Sequence, residues 1–155
     1  MVNYLIALGI CVAAAVFEGL CAGRDPMAQL KATKQPSWSP PNWVWVLIGI
    51  AWYAICFTGL VRLLPFWPEH RLPVILLAAM MLANAAVNLF QFRMKRLDLA
   101  FYSLFPYWAL LLGPFLWTAC PLDGPTCRLF AVYAGYQVYA AFWGYALCKL
   151  NPRTP

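Results

Sequence analysis

From Trp43 to Leu64 the chain reads WVWVLIGIAWYAICFTGLVRLL, and the charged side chain in that stretch is Arg62, near its end. A helix rises ~1.5 Å per residue and a bilayer's hydrocarbon is ~30 Å thick, so about 20 apolar residues in helical form cross it. In lipid the backbone groups have no water to bond, and a helix satisfies them within its own segment. Working outward, residues 2–22, 72–92, 99–119 and 129–149 pass the same test, and the charges collect in the connections between them. The whole composition agrees. Of 155 residues, 64% are hydrophobic and 10% charged, against roughly a quarter charged in a soluble domain. The expectation is an all-α integral membrane protein, a single five-transmembrane-helix bundle over residues 1–155. Before the first stretch there is no Lys or Arg, which a cleaved signal peptide normally needs, so it reads as a retained span.

Five spans put the first loop, the third loop and the C-terminus on one side of the membrane. That side holds Arg24, Lys31, Lys34, Arg93, Lys95, Arg96, Lys149 and Arg153, and the other holds Arg62, Arg71 and Arg128. Eight against three is a positive-inside bias, placing the C-terminus in the cytoplasm and the N-terminus outside. The net charge of +6 is thereby explained by topology, since a nucleic-acid partner would need it gathered on one face. A bacterial cytoplasmic membrane is the simplest home, with a eukaryotic organelle membrane as the alternative. Cys11, Cys21, Cys56 and Cys148 lie within or at the ends of spans and read as packing residues. Cys120 and Cys127 flank the turn Pro121-Leu122-Asp123-Gly124-Pro125 on the non-cytoplasmic side, where a disulfide and two free thiols are equally open. The chain has one His, His70, and neither CxxC nor HxxxH spacing, so no metal site is expected.

The helix faces carry the functional candidates. On the first, Ala7, Cys11, Ala15 and Gly19 form a small-residue ridge for close helix packing. Glu18, an acid within a span, is either snorkelling to the interface or functional. On the second, Trp45, Gly49, Trp52, Cys56 and Gly59 alternate indoles with gaps, as a pocket for a flat apolar ligand would. Trp43, Trp45 and Trp67 fit interfacial anchors equally well, whereas Trp52 lies near mid-span, where its N–H needs a partner or a ligand. On the third, Asn84, Asn88 and Gln91 gather amides on one inward face, for helix contacts or for a ligand. Tyr133, Tyr136, Tyr139 and Trp143 make an aromatic wall on the last span, too long for an interface belt.

The first loop ends Lys34-Gln35-Pro36-Ser37-Trp38-Ser39-Pro40-Pro41-Asn42-Trp43, which closely resembles the K-P-S-W-x-P-P-x-W signature of the translocator protein, or tryptophan-rich sensory protein (TspO/MBR), family. Tyr53 falls on the Tyr of the family's second helix. Asn84, Phe92, Lys95 and Ala100 match its third-helix pattern, and Tyr133, Ala140, Ala141, Tyr145 and Lys149-Leu150-Asn151 resemble its ending. The resemblance implies five helices, commonly a homodimer, and a cavity opening toward the first loop that takes porphyrins, sterols or synthetic aromatic ligands. It implies a lid in the Pro-rich segment around Trp38 and Pro41, stiffened because each proline fixes φ. The departures bear on activity. Gly49, Val87 and Tyr136 stand where the family has Trp; Val132 and Gly144 replace its helix-five Pro and Asn. Porphyrin breakdown in some members is attributed to the lost helix-two and helix-five Trp residues. The sterol pattern near Tyr145 is unmet, for want of a Leu or Val just before it.

The reading that follows is a membrane receptor or binding protein for a flat hydrophobic ligand such as a porphyrin, a bilin or another tetrapyrrole, with sterol-like ligands as a further class. No cofactor is required, and the partners are the bilayer, the ligand and a second copy of the chain. A small transporter or an accessory subunit of a larger membrane complex is the alternative. An enzyme is disfavoured because the usual acid–base pairs are missing.

Overall fold

The computed structural model of the chain describes residues 1–152, so Arg153 of the charge count lies outside them. The described residues form six helices: α1 Val2–Ala22, α2 Pro26–Ala32, α3 Asn42–Phe66, α4 Leu72–Arg93, α5 Leu97–Ala119 and α6 Gly124–Leu150. α1, α3, α4 and α5 are long and apolar enough to cross a membrane. Helices of that length and apolarity are those of an integral, multi-pass membrane protein. α6 is the longest helix, at 27 residues. It is not among the four most apolar ones, because its tyrosines and Gln137 lower its mean hydropathy. Four of the five expected spans are thus long and apolar enough to cross; α6, the expected fifth, is long enough but not apolar enough to count with them.

α2 was not expected. Asp25 caps it, accepting from the Ala28 N–H at 2.9 Å, with Pro26 at the first helical position. Gly23, at φ 85, allows the chain to leave α1 for this short helix. α6 begins five residues before the expected 129 for the same kind of reason. Asp123 accepts from the Thr126 N–H at 2.9 Å, and Pro125 sits in the first turn. Cys127 consequently lies on the helix rather than in a loop, and it is bonded to Cys120 across the turn.

Two helices change their winding. α4 ends in a π turn, Leu89–Arg93, with the Met94 N–H on the Leu89 carbonyl at 2.9 Å, and Lys95 at φ 53 closes it. α5 bends at Ser103 and carries a second π turn, Trp108–Leu112. Pro114 explains that turn: its ring would strike the carbonyl four residues earlier, and the wider winding moves that carbonyl away.

Around the bundle, α1 packs on α3 and α4, α4 on α5, α5 on α6, and α6 returns to α3. The two ends differ. Where α3 ends and α6 begins, Leu60, Leu63, Leu77, Met80, Phe115 and Phe130 are fully buried. Arg62 clamps Asp123 there through two hydrogen bonds of 2.7 and 2.8 Å. At the other end the helices enclose space. The small ridge of α1 marks the division: Ala7, Cys11 and Ala14 are buried against neighbours, whereas Ala15 and Gly19 line a cavity. Steps of four gain ~40° each on a 3.6-residue helix, so the expected row drifts off the packing face.

Candidate ligand-binding site

The cavity measures about 650 Å³ and draws walls from all six helices. It lies in the half of the bundle nearest the loop between α2 and α3. Nine residues expected at a site line it: Trp45, Gly49, Trp52 and Tyr53 from α3, Asn84 and Asn88 from α4, and Tyr133, Tyr136 and Trp143 from α6. Trp38, Pro41 and Tyr139 are not among its lining residues.

The aromatic side chains form a ladder. Trp52 stacks on Tyr133, centroids 4.5 Å apart and planes 26° from parallel, and Tyr136 and Tyr139 continue the row at 6.1 and 6.3 Å. Nearer the loop, Trp45 lies 4.3 Å from Trp143. The indole N–H groups of Trp45, Trp52 and Trp108 are buried without a hydrogen-bond partner, and of the three residues Trp45 and Trp52 line the cavity. Gly49 lies between these two indoles on α3, and a Cβ there would meet open space, so the glycine widens the cavity. Trp43 stays 63% exposed, as an interfacial anchor would.

The polar groups are arranged by helix period. Tyr133 and Gln137 lie one turn apart on α6, the Gln137 amide donating to the Tyr133 oxygen, and the Tyr107 and Tyr133 hydroxyls meet at 2.8 Å. On the opposite wall, Glu18 accepts from the Tyr53 hydroxyl and from the Asn88 amide, each at 2.6 Å. Tyr107, Gln137 and Glu18 were not among the expected ligand residues. Gln137, a lone amide on an otherwise apolar-aromatic helix, was the available signal; Tyr107 had none, because its register depends on the bend at Ser103.

The loop forms a cover tied to α6. Trp38 meets Tyr139 edge-on at 5.6 Å, and the Trp143 indole donates to Ser39 Oγ at 3.0 Å. Asn151 donates to the Lys34 carbonyl and accepts from the Lys34 N–H, both at 3.0 Å. Leu30 of α2 packs with Trp143 and Leu147 beneath it. Trp38 and Tyr139 thus act on the cover rather than on the cavity wall.

Residues 7–150 match the TspO/MBR family. The chain belongs to that family. Among curated proteins, none is similar enough to the chain to count as a match. In this TspO/MBR member the substituted aromatic positions are visible in place. Gly49 and Tyr136 line the cavity where the resemblance puts indoles, and Trp52 and Trp143, one and two turns further on, supply indole rings to the same cavity. Val87, Val132 and Gly144 line it too, so all five departures fall on the cavity wall.

Proposed function

We propose that the protein is a membrane receptor that binds a flat hydrophobic ligand of the tetrapyrrole class, a porphyrin or a bilin, in the cavity beneath the Trp38 loop. The observation that carries this is the pair of buried, unpartnered indole N–H groups, Trp45 and Trp52, in a cavity walled by stacked rings. Buried donors are ordinarily paired, and an acceptor on a bound ligand supplies the partner. A volume of about 650 Å³ falls in the ~300–1,000 Å³ range of small-molecule sites, where apolar walls bury the ligand and a few polar groups orient it. Family membership supports the same ligand class, with sterols as a further, separate class.

α6 is the fifth span, its polar groups turned to the cavity instead of lipid, with the N-terminus outside and the cytoplasmic C-terminus beside the lid. The setting is a bacterial cytoplasmic membrane and the assembly a homodimer. The role is sensing or sequestration; transport is the second reading, favoured by the broken winding of α5 at Ser103 and Trp108–Leu112. The test is a titration of the detergent-purified protein with haem, protoporphyrin, bilins and sterols. Saturable binding at one site per chain, with quenched Trp emission, is the expected result for a tetrapyrrole. Only linear, detergent-like partition for every compound would overturn the reading. Flux of a bound compound into proteoliposomes would select transport.

A further inference from the structure

Of the chain's five acids, Asp25, Glu69 and Asp123 lie in connections and Asp98 sits in the first turn of α5, bonded to Arg96. Glu18 differs, because it stands within α1 and lines the cavity. Its two carboxyl oxygens accept one hydrogen bond each, Oε1 from Asn88 and Oε2 from Tyr53. Both donors are neutral. The ion pairs among the described residues are Arg62–Asp123 and Arg96–Asp98, so no cationic side chain there pairs with Glu18.

A carboxylate has about four acceptor positions, so the two bonds hold the group and leave roughly half its capacity unused, on a residue that lines the cavity. A charge at membrane depth is costly without an opposite one. The remaining wall suits a cation as well. Tyr53, Trp52, Tyr133 and Trp45 line the same space, and indole and phenol rings attract ammonium and related cations.

We propose that the missing counter-charge arrives with the ligand: the cavity selects flat hydrophobic molecules bearing a cationic nitrogen, which docks on Glu18. The proposal rests on the reading that the cavity binds a flat hydrophobe, and states which of such ligands it binds best. Tyr53 and Asn88 orient the carboxylate, from α3 and α4, so the subsite is assembled by three helices. A ligand whose carboxylate must lie beside Glu18 is rejected by like charge, while an acceptor elsewhere on the ligand reaches the Trp45 and Trp52 N–H groups.

Three probes of one shape test it. At about pH 7.5 acridine is neutral, 9-aminoacridine is a cation and acridine-9-carboxylate is an anion. Their binding to the full chain is titrated in a non-ionic detergent, by probe absorbance and by quenching of Trp emission. A hydrogen bond to a charged group corresponds to roughly ten- to hundredfold in affinity. The wild-type protein is expected to prefer 9-aminoacridine to acridine by that factor and to bind the anion least. Glu18→Gln is expected to remove the preference while leaving acridine within about threefold, which also shows that the variant is folded. Equal affinity of wild type for cation and neutral probe overturns the proposal, as does a preference that survives Glu18→Gln or a variant that loses both probes together. Failure of all three probes, with a tetrapyrrole still binding saturably, overturns the cation subsite alone. Failure of tetrapyrroles too removes the cavity reading beneath it.

Discussion

Replacing Trp52 by Phe separates the two things that its indole does. The ring is 5% exposed, stacked at 4.5 Å on Tyr133 and edge-on to Phe130 at 6.4 Å. Phe puts a single six-membered ring where the pyrrole ring stands and deletes the outer part of the indole together with its N–H. In lipid the surroundings are as apolar as the bundle interior, so packing, not transfer from water, is what is lost. On the order of ten atom contacts at ~0.1–0.2 kcal/mol each makes that loss roughly 1–2 kcal/mol. Against it, the empty protein carries a buried donor without a partner, a penalty of about 1–3 kcal/mol that Phe removes. The two nearly cancel, so the ligand-free variant should melt within a few degrees of the parent in the same detergent. With ligand bound the balance changes, because the N–H is then paired. Losing a hydrogen bond of about 1–1.5 kcal/mol weakens binding roughly five- to tenfold. Ligand absorbance is the right readout, since the substitution itself dims Trp emission. A variant several degrees less stable when empty, yet with unchanged affinity, would refute the assignment of this N–H to the ligand.

Asp123 should make stability acid-sensitive. Its hydrogen bonds with Arg62, then those with Thr126, hold the carboxyl well below the usual carboxylate range. The unfolded chain therefore takes up a proton first, near the ordinary ~3.9, and the stabilisation is complete above that pH and fades as pH falls below it. Asp123→Asn keeps a capping acceptor but not the charge, so melting curves between about pH 3 and 6 should show a shallower acid decline than wild type; parallel curves would count against the clamp. At Gly59 a Cβ would lie 3.0 Å from Phe130 Cε2 and 3.2 Å from Leu77 Cδ2, both on fully buried residues. Gly59→Ala should cost about 1–3 kcal/mol in thermal unfolding without changing ligand affinity, since Gly59 does not line the cavity, whereas Gly49→Ala, facing open space, should be close to neutral in stability.

Much of the cavity wall was readable as helix faces. Trp45, Trp52 and Gly49 on α3, Asn84 and Asn88 on α4, and Tyr133, Tyr136 and Trp143 on α6 repeat with the helix period, and each set turns to the same space. Prediction failed where side chains act across elements. Tyr139 looked like wall, but the loop it meets through Trp38 makes it part of the cover. Glu18 was readable as an unusual acid, but its partners Tyr53 and Asn88 lie 35 and 70 residues away.

Sequence alone determined that lipid is this chain's solvent, where four of its long helices run, and which family it belongs to. These follow from local quantities: apolar length, charge placement and a contiguous motif around Trp38. Tertiary structure decided the rest. It divided the bundle into a solid end at Phe115 and Phe130 and a hollow end at Trp45 and Trp52, moved the start of α6 to the Asp123 cap, and turned Glu18 onto two neutral donors. Those outcomes depend on helix rotation and on contacts between distant segments, and a one-dimensional pattern leaves both undetermined because lipid, unlike water, accepts almost any apolar face.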